Sequence, residues 1–469
     1  MDEQQNTPKR PVNPRRRKRS QFEIFKEAYL PVVIGCAALL LILIFIIGSI
    51  NRGIQRIRYE KQQALEASIA AQEEQERLDL EAENLLSQAA RLAAAFDYQG
   101  AIDTLDSFSG SISDYPNMEQ KYTEYTDAQS TLVLWNDPAG ILNLSFQLLI
   151  ADPQRAFSDE TYGASYNRNF ITTGEFQAIL QQLYENGYIL VSLDDVTSGS
   201  ETKELYLPEG KKPLILTQTN VNYNTYMIDG DGDKLPDKDG DGFASKLILD
   251  ANGNITCQMV DATGETVAGA FDMVPILESF VETHPDFSYQ GARAILAVTG
   301  YDGLFGYRTN PSAKEFLSED QYTQEIEGAT QIVNKLSDLG YELACYTYEN
   351  EPYGSYNVEQ ISADLQKWDS EVTPILGATD IFVFSRNSDI GNPGMPYADE
   401  KFETIQGYGF NRYLGFCDAD QTWFYADSAY ARQGRILVTG SALAHHALWF
   451  DGIFDAASIL DSTRGEVPA

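Results

Sequence analysis

Residues 213–223 read PLILTQTNVNY and join an apolar half to a polar half. The run Leu214-Ile215-Leu216 is short and uninterrupted, which is typical of a buried strand. The polar run Thr217-Gln218-Thr219-Asn220 follows it directly. This order predicts a strand that begins in the core and ends in a pocket of hydroxyl and amide groups.

Upstream, residues 170–195 read FITTGEFQAILQQLYENGYILVSLDD. Their apolar spacing predicts a capped amphipathic helix, and the dipeptide Asn186-Gly187 predicts a turn before a further strand. The rest of the chain repeats this order. Strand candidates are residues 141–149, 188–192, 214–217, 294–299, 342–346, 381–384, 413–416 and 435–439, and helix candidates are residues 173–186, 272–284, 323–339, 358–376 and 397–407.

Alternating strands and helices predict an α/β domain with parallel strands over residues 138–469. Seven or eight strand–helix units fit this length. That number favours a closed barrel, and an open doubly wound sheet is the alternative.

The helix, turn and strand of residues 170–195, followed by residues 213–223, resemble the polysaccharide deacetylase (NodB-homology) family. The resemblance covers roughly residues 140–461. It implies an irregular (β/α) barrel of seven strands and metal-dependent deacetylation of carbohydrate. It also implies two adjacent aspartates at a strand end and a His-x-x-x-His motif on a later loop.

This chain departs from the family at those motifs. Thr219 and Asn220 stand where the resemblance implies the aspartates, and Tyr346 and Asn350 stand where it implies the histidines. Arg386 matches the family's third motif loosely. Because hydroxyl and amide groups do not supply the base or the transition-metal site that metal hydrolysis needs, we expect no zinc. We predict that these five residues line a former active-site cleft that binds substrate-like ligands without catalysis.

A separate segment, residues 229–242, places acidic residues at alternating positions with glycine mostly between them. Calcium takes six to eight oxygen ligands, and such loops supply them. The spacing resembles the aspartate-rich calcium repeats of thrombospondin type 3 and departs from an EF-hand. The sequence therefore predicts calcium, and the alternative is an acidic surface insertion. The six predicted ligands are Asp229, Asp231, Asp233, Asp237, Asp239 and Asp241.

Residues 28–50 are apolar and uncharged, which is long enough to span about 30 Å of hydrocarbon as a helix. Eight basic residues precede the span and four follow closely, so we expect the N-terminus in the cytoplasm. Residues 1–27 then form a basic cytoplasmic tail. After residue 61 there are 22 basic and 64 acidic residues, which excludes nucleic-acid binding by phosphate neutralisation.

Two helical segments are predicted between the span and the barrel. Residues 51–84 are rich in Ala, Glu, Gln and Leu, which predicts a helical stalk; a solvated spacer and a weak coiled coil that forms a homodimer are equal alternatives. Residues 85–132 predict a helical hairpin. Cys36 lies in the span. Two of the other three cysteines, Cys257, Cys345 and Cys417, could form one disulfide, and the sequence does not decide which.

These features predict a bacterial single-pass protein of the cell membrane with an extracellular C-terminal domain. We expect a catalytically inactive, deacetylase-like barrel that binds or scaffolds cell-envelope carbohydrate. One alternative is an active deacetylase or hydrolase of carbon–nitrogen bonds in cell-wall polysaccharide. Another is an envelope assembly protein that acts through its helical stalk.

Overall fold

The computed structural model describes residues 21–417 and 422–469. The chain forms two compact units, one that ends at Glu81 and one that spans Ala82–Ala469. The predicted tail of residues 1–27 therefore lies largely outside the described residues.

Two helices open the described chain, α1 (Gln21–Ala28) and α2 (Leu30–Ala94). Within α2, an 18-residue window has a mean hydropathy of 3.2, so the helix is long and apolar enough to cross a membrane. The helix has no glycine or proline after Gly53, which explains why it continues over 65 residues. The predicted boundaries at residues 50 and 84 both lie inside α2.

The other helices and the strands belong to the second unit. The helices are α3 (Tyr98–Asp106), α4 (Pro116–Ser130), α5 (Pro153–Ser158), α6 (Gly163–Asn169), α7 (Thr173–Glu185), α8 (Leu193–Val196), α9 (Thr225–Ile228), α10 (Met273–Thr283), α11 (Glu319–Leu339), α12 (Val358–Lys367), α13 (Thr373–Leu376), α14 (Glu400–Gln406), α15 (Gly440–His445) and α16 (Ala456–Ile459). The strands are β1 (Val133–Trp135), β2 (Leu142–Phe146), β3 (Tyr188–Leu190), β4 (Thr197–Ser198), β5 (Glu201–Thr202), β6 (Leu205–Leu207), β7 (Lys212–Thr219), β8 (Lys246–Leu249), β9 (Ile255–Val260), β10 (Thr266–Gly269), β11 (Ile295–Val298), β12 (Glu342–Cys345), β13 (Ile381–Val383), β14 (Arg412–Phe416), β15 (Phe424–Ala426) and β16 (Ala431–Leu437).

Seven parallel strands close into a barrel in the order β2-β7-β11-β12-β13-β14-β16, with β16 pairing back to β2. This confirms the predicted α/β barrel, and the open doubly wound alternative is wrong. The strand β3 pairs only with the first residues of β7, at Lys212–Leu214. It stays outside the ring because β11 pairs with the same edge of β7 further along, at Thr217–Thr219.

The barrel interior has an apolar layer and a polar layer. Side chains such as Ile215, Ile295 and Val383 form one buried cluster inside the ring. Polar groups pair with one another within the same interior, because the Thr217 hydroxyl donates to Asn143 Oδ1 at 2.9 Å. The strand β7, which starts apolar and ends polar, therefore has the arrangement predicted for residues 213–223.

The helices α3 and α4 lie within residues 85–132, where the sequence predicts a hairpin, and Ala101 and Leu105 of α3 and Met118 of α4 are buried. Asp97 caps α3 by accepting a hydrogen bond from the Gly100 amide. The backbone amide of Gln290 donates to Ala95 O at 2.7 Å, which ties the end of α2 to the barrel within the second unit.

The sequence predictions did not include the antiparallel sheet β8-β9-β10, which follows the aspartate-rich segment. Its central strand β9 alternates buried and half-buried residues, as expected of a sheet with one face on the core. The predicted helix 358–376 is also interrupted: α12 passes into a π-helical turn at Trp368–Val372 before α13. All four cysteines lie within the described residues, and none of them forms a disulfide.

The C-terminal segment is fixed to α7 by a buried ion pair. One edge of the Arg464 guanidinium binds the Glu175 carboxylate in a bidentate pair, with Nε–Oε1 and Nη2–Oε2 distances of 2.6 Å. The same carboxylate accepts from the backbone amides of Thr172 and Asp461. Both side chains are almost completely buried, at 1% and 0% exposure.

Candidate functional site

The candidate site lies where the seven parallel strands end. In (β/α) barrels this end carries the binding loops, because the loops after the strands meet there. Seven of the ten described non-glycine residues with positive φ follow ring strands on this side: Asn220, Tyr223, Phe305, Thr347, Asn350, Arg386 and Asn387. Such backbone strain is concentrated at functional sites, because the surrounding structure must hold it in place.

Thr219 and Asn220 lie at the end of β7, as predicted. Thr219 is 2% exposed, and its hydroxyl donates to Phe146 O at 3.2 Å. Asn220 has a φ of 59°, and its Oδ1 accepts from the Thr299 hydroxyl at 3.5 Å. The two side chains therefore form a neutral, hydrogen-bonded floor between neighbouring strands.

Tyr346 and Asn350 follow β12. Tyr346 packs against the interior cluster, and its backbone amide donates to Val298 O at 2.8 Å. Thr347, which stands between them, has a φ of 62° and accepts from the Glu351 amide through its hydroxyl. The Asn350 Oδ1 is buried and has no donor among the described residues. This loop therefore presents an unsatisfied acceptor.

Arg386 follows β13 with a φ of 50°, and its side chain is exposed. Burial raises the pKa of Tyr301 and raises that of Tyr356 to about 12, and the Arg386 charge opposes both shifts. The structure thus places all five predicted cleft residues on the same end of the barrel.

A rim of tyrosines accompanies these residues. The rings of Tyr162 and Tyr226 are 5.4 Å apart, and Tyr226 is 45% exposed. The Tyr301 hydroxyl donates to Asn224 Oδ1 at 3.0 Å, whereas Asn224 Nδ2 is buried without an acceptor among the described residues. Other tyrosines of these loops are buried packing residues, namely Tyr223, Tyr346, Tyr348 and Tyr353.

Sequence reasoning missed Arg435, which is fully buried inside the ring. Among the described residues its guanidinium has three acceptors, all neutral: Gly415 O at 3.1 Å, Ser145 Oγ at 2.7 Å and Phe384 O at 2.8 Å. Burial lowers its pKa. The available signal was the pair Gln433 and Arg435, two positions apart on β16, because residues two apart on a strand face the same side.

The residues at this end do not fit the metal that the family resemblance implies. Hydroxyl, phenol and amide groups occupy the positions of Thr219, Asn220, Tyr346 and Asn350, whereas zinc sites use imidazole, thiolate or carboxylate ligands. Histidines have other contacts: His284 ends α10, His445 bonds Val467 O, and His446 stacks on Trp449. We therefore derive no chemical step through a metal at the barrel mouth.

Three aspartates of the predicted calcium loop do converge. One carboxylate oxygen from each of Asp229, Asp231 and Asp237 lies within 4.8 Å of the others, and these form the one such acidic or histidine group found in the described chain. Asp237 also accepts from the Gly230 amide at 3.0 Å. Three of the six predicted ligands thus stand together.

The other three predicted ligands have different surroundings. Asp233 accepts from the Leu235 amide at 2.8 Å, and Asp239 pairs with Lys238 at 2.6 Å. Asp241 is buried and accepts from the Tyr166 hydroxyl. Burial raises the pKa of Asp241 to about 6.

Another acidic pair, Asp194-Asp195, lies at the opposite end of the barrel. Arg412 at the start of β14 binds Asp194 and Asp380, and Glu342 at the start of β12 lies 3.5 Å from it. Burial raises the pKa of Glu342 to about 7. This network is remote from the strand ends and does not contribute acids to the mouth.

Comparisons with known proteins give a distant likeness among solved structures. No protein-family model matches the chain, and no curated protein matches it. Among solved structures, the chain is similar to the Streptococcus pyogenes deacetylase PplD in complex with acetate, at 11% identity and a TM-score of 0.35. The match covers 66% of this chain and 94% of that one.

Proposed function

We propose that this protein is a membrane-anchored carbohydrate-binding protein whose barrel mouth holds cell-envelope polysaccharide without hydrolysing it. The observation that carries the proposal is a pair of buried, unsatisfied amide atoms at the mouth, Asn224 Nδ2 and Asn350 Oδ1. Unpaired buried polar groups cost about 1–3 kcal/mol each, so a ligand that pairs them gains that amount.

The chemistry of the rim favours sugar over other ligands. A hydroxylated ligand offers both a donor for Asn350 and an acceptor for Asn224. The backbone amide of Tyr301 donates to Tyr348 O at 3.2 Å, which brings the loop of Asn350 beside Tyr301 and hence beside Asn224. Tyr226 and Tyr301 add aromatic faces with hydroxyl groups, which pack on a ring and hydrogen-bond at its edge.

The location is proposed from the apolar part of α2 and from charge. The basic residues before the span favour a cytoplasmic N-terminus, and the strongly acidic remainder then lies outside the cell. A homodimer through residues 51–84 stays a prediction. These placements support contact with envelope polysaccharide.

Binding should fall about tenfold when Tyr226 is replaced by alanine, because an exposed stacking face is lost. The measurement is retention of the full chain, in detergent micelles, on immobilised cell-wall polysaccharide. Tyr206→Ala is the matched control: Tyr206 is 41% exposed but lies on β6.

Equal loss in both variants, or no retention of the unmodified chain, would refute the proposal. If the chain instead releases acetyl groups from the polysaccharide in a zinc-dependent reaction, and Asn220→Ala removes this activity, the deacetylase alternative is established. If the chain binds no polysaccharide but another protein binds it through residues 51–84, the result would favour the assembly role.

We also propose that Asp229, Asp231 and Asp237 bind calcium, because three convergent carboxylates repel one another without a cation. Calcium at about 100 times its dissociation constant should then add about 2.7 kcal/mol to the free energy of unfolding. Thermal melting with calcium and with chelator measures this gain. Asp229→Asn should abolish it, and Asp239→Asn, which removes the same charge outside the trio, should retain it. An unchanged melting curve with calcium rejects the site.

A further inference from the structure

Two side chains at the barrel mouth have hydrogen-bond donors without acceptors among the described residues. The Asn224 side chain is fully buried; its Oδ1 accepts from the Tyr301 hydroxyl, while its Nδ2 has no acceptor in the described part of the chain. Arg386 follows β13 at the same end of the barrel, and its side chain is exposed. Because both free groups are donors, the ligand group that satisfies them must be an acceptor.

The carboxylates on the neighbouring loops are already engaged. Asp302 pairs with Arg308 at 3.5 Å, Asp389 pairs with Arg432 at 2.7 Å, Glu349 pairs with Lys367, and the Glu351 carboxylate accepts from the Tyr356 hydroxyl. Among the described residues, no carboxylate lies within ion-pair distance of Arg386. Its positive charge is therefore available to a ligand.

A second cation, Arg435, contacts the same loop. It donates through Nη2 to Phe384 O, two residues before Arg386, and its three acceptors among the described residues are neutral. Asp389 acts on its charge but is already paired with Arg432. A buried charge without a counter-charge is costly, because the low-dielectric interior replaces its hydration poorly. An anion bound at the mouth would reduce that cost, since attraction between charges is stronger where water is excluded.

A cavity of about 410 Å³ adjoins the loop of Arg386. Its lining includes Asn387, Ser388 and Ser355, which supply amide and hydroxyl groups, and Phe416, which supplies an aromatic face. Asp389 also lines it, but both of its oxygens are occupied by Arg432, Tyr397 and the Gly391 amide. The volume is in the range of small-ligand sites.

We infer that the ligand of the barrel mouth is an acidic polysaccharide, whose carboxylate or phosphate group is bound by Arg386 beside the cavity that Asn387, Ser388 and Ser355 line. The inference rests on the proposed carbohydrate binding and names the ligand class. An anionic ligand is unusual for a chain with 69 acidic and 34 basic residues, because the proposed site attracts anions whereas the rest of the surface repels them.

The test uses the full chain in detergent micelles and two matched pairs of ligands. One pair is oligogalacturonate and its neutral methyl ester; the other is a phosphomannan oligosaccharide and its dephosphorylated form. We expect one acidic member to bind at least about tenfold more tightly than its neutral partner at low salt, and added salt should shrink the ratio. The pair that shows the preference identifies the anionic group.

Arg386→Gln should reduce the acid-to-neutral ratio to below about threefold, and Arg386→Lys should restore part of it. Arg58→Gln, which removes an exposed arginine of α2, should keep the full ratio. An acid-to-neutral ratio near one for both pairs overturns the inference but does not contradict carbohydrate binding. A full ratio in Arg386→Gln has the same two consequences. No binding of any of the four ligands overturns the proposed function itself.

Discussion

Replacing Arg464 by methionine should lower the free energy of unfolding by about 3–5 kcal/mol, because the variant leaves the Glu175 carboxylate buried without its cation. Arg464 makes both bonds to Glu175 at 2.6 Å and also donates to Asn167 O and Phe170 O at 2.8 Å. The expected loss is large because water cannot reach either side chain. Denaturant unfolding of the full chain in detergent, followed by tryptophan fluorescence, measures it.

Two controls separate the lost charge from lost packing. The double variant Glu175→Gln with Arg464→Met should recover part of the loss, because it no longer buries an unpaired charge. Lys121→Met breaks an exposed pair with Glu124, whose side chains are each 44% exposed, and should leave the unfolding curve unchanged. A double variant as unstable as the single one would show that the tail contributes packing alone.

The fold was predictable because it depends on local patterns. Most of the ring strands contain a short apolar run between polar loops, and seven of the eight strand candidates form the ring. Helix starts shifted where a capping residue was overlooked: α11 begins at Glu319, four residues early, because Ser318 and Gln321 form a capping box. The sheet β8-β9-β10 was missed although its first turn contains Asn252-Gly253, a hairpin signal.

The candidate site was predictable only in part, because its properties come from contacts between distant residues. Thr219 and Asn220 at the end of β7 could be predicted as site residues, because a polar run directly follows an apolar one in the sequence. Arg435 gains its role through a hydrogen bond to Ser145, which lies 290 residues away. The residues near it in the sequence do not indicate that its acceptors in the described part of the chain are all neutral. Asn224 is similar, because its unpaired Nδ2 depends on how Tyr301 approaches from the next ring strand.

Replacing Gly303 by alanine should cost about 2–4 kcal/mol of unfolding free energy and should also weaken polysaccharide binding. Gly303 has a φ of 87°, which costs an alanine about 1 kcal/mol. An added Cβ would also overlap Tyr307 O and lie 2.9 Å from the Thr309 amide, and such overpacking costs about 1–3 kcal/mol more. The loop that must move carries Tyr301, so the rim moves with it.

Gly291 provides the matched control, because its φ of 86° is nearly the same and no atom lies within 4 Å of its added Cβ. Gly291→Ala should therefore show only the cost of the backbone conformation and should keep full binding. Melting curves and polysaccharide retention of both variants separate the two contributions. Equal destabilisation would mean that the approach of Tyr307 to Gly303 does not constrain the loop. Equal binding would mean that the position of Tyr301 does not control the mouth, and the carbohydrate proposal would lose one of its two aromatic faces.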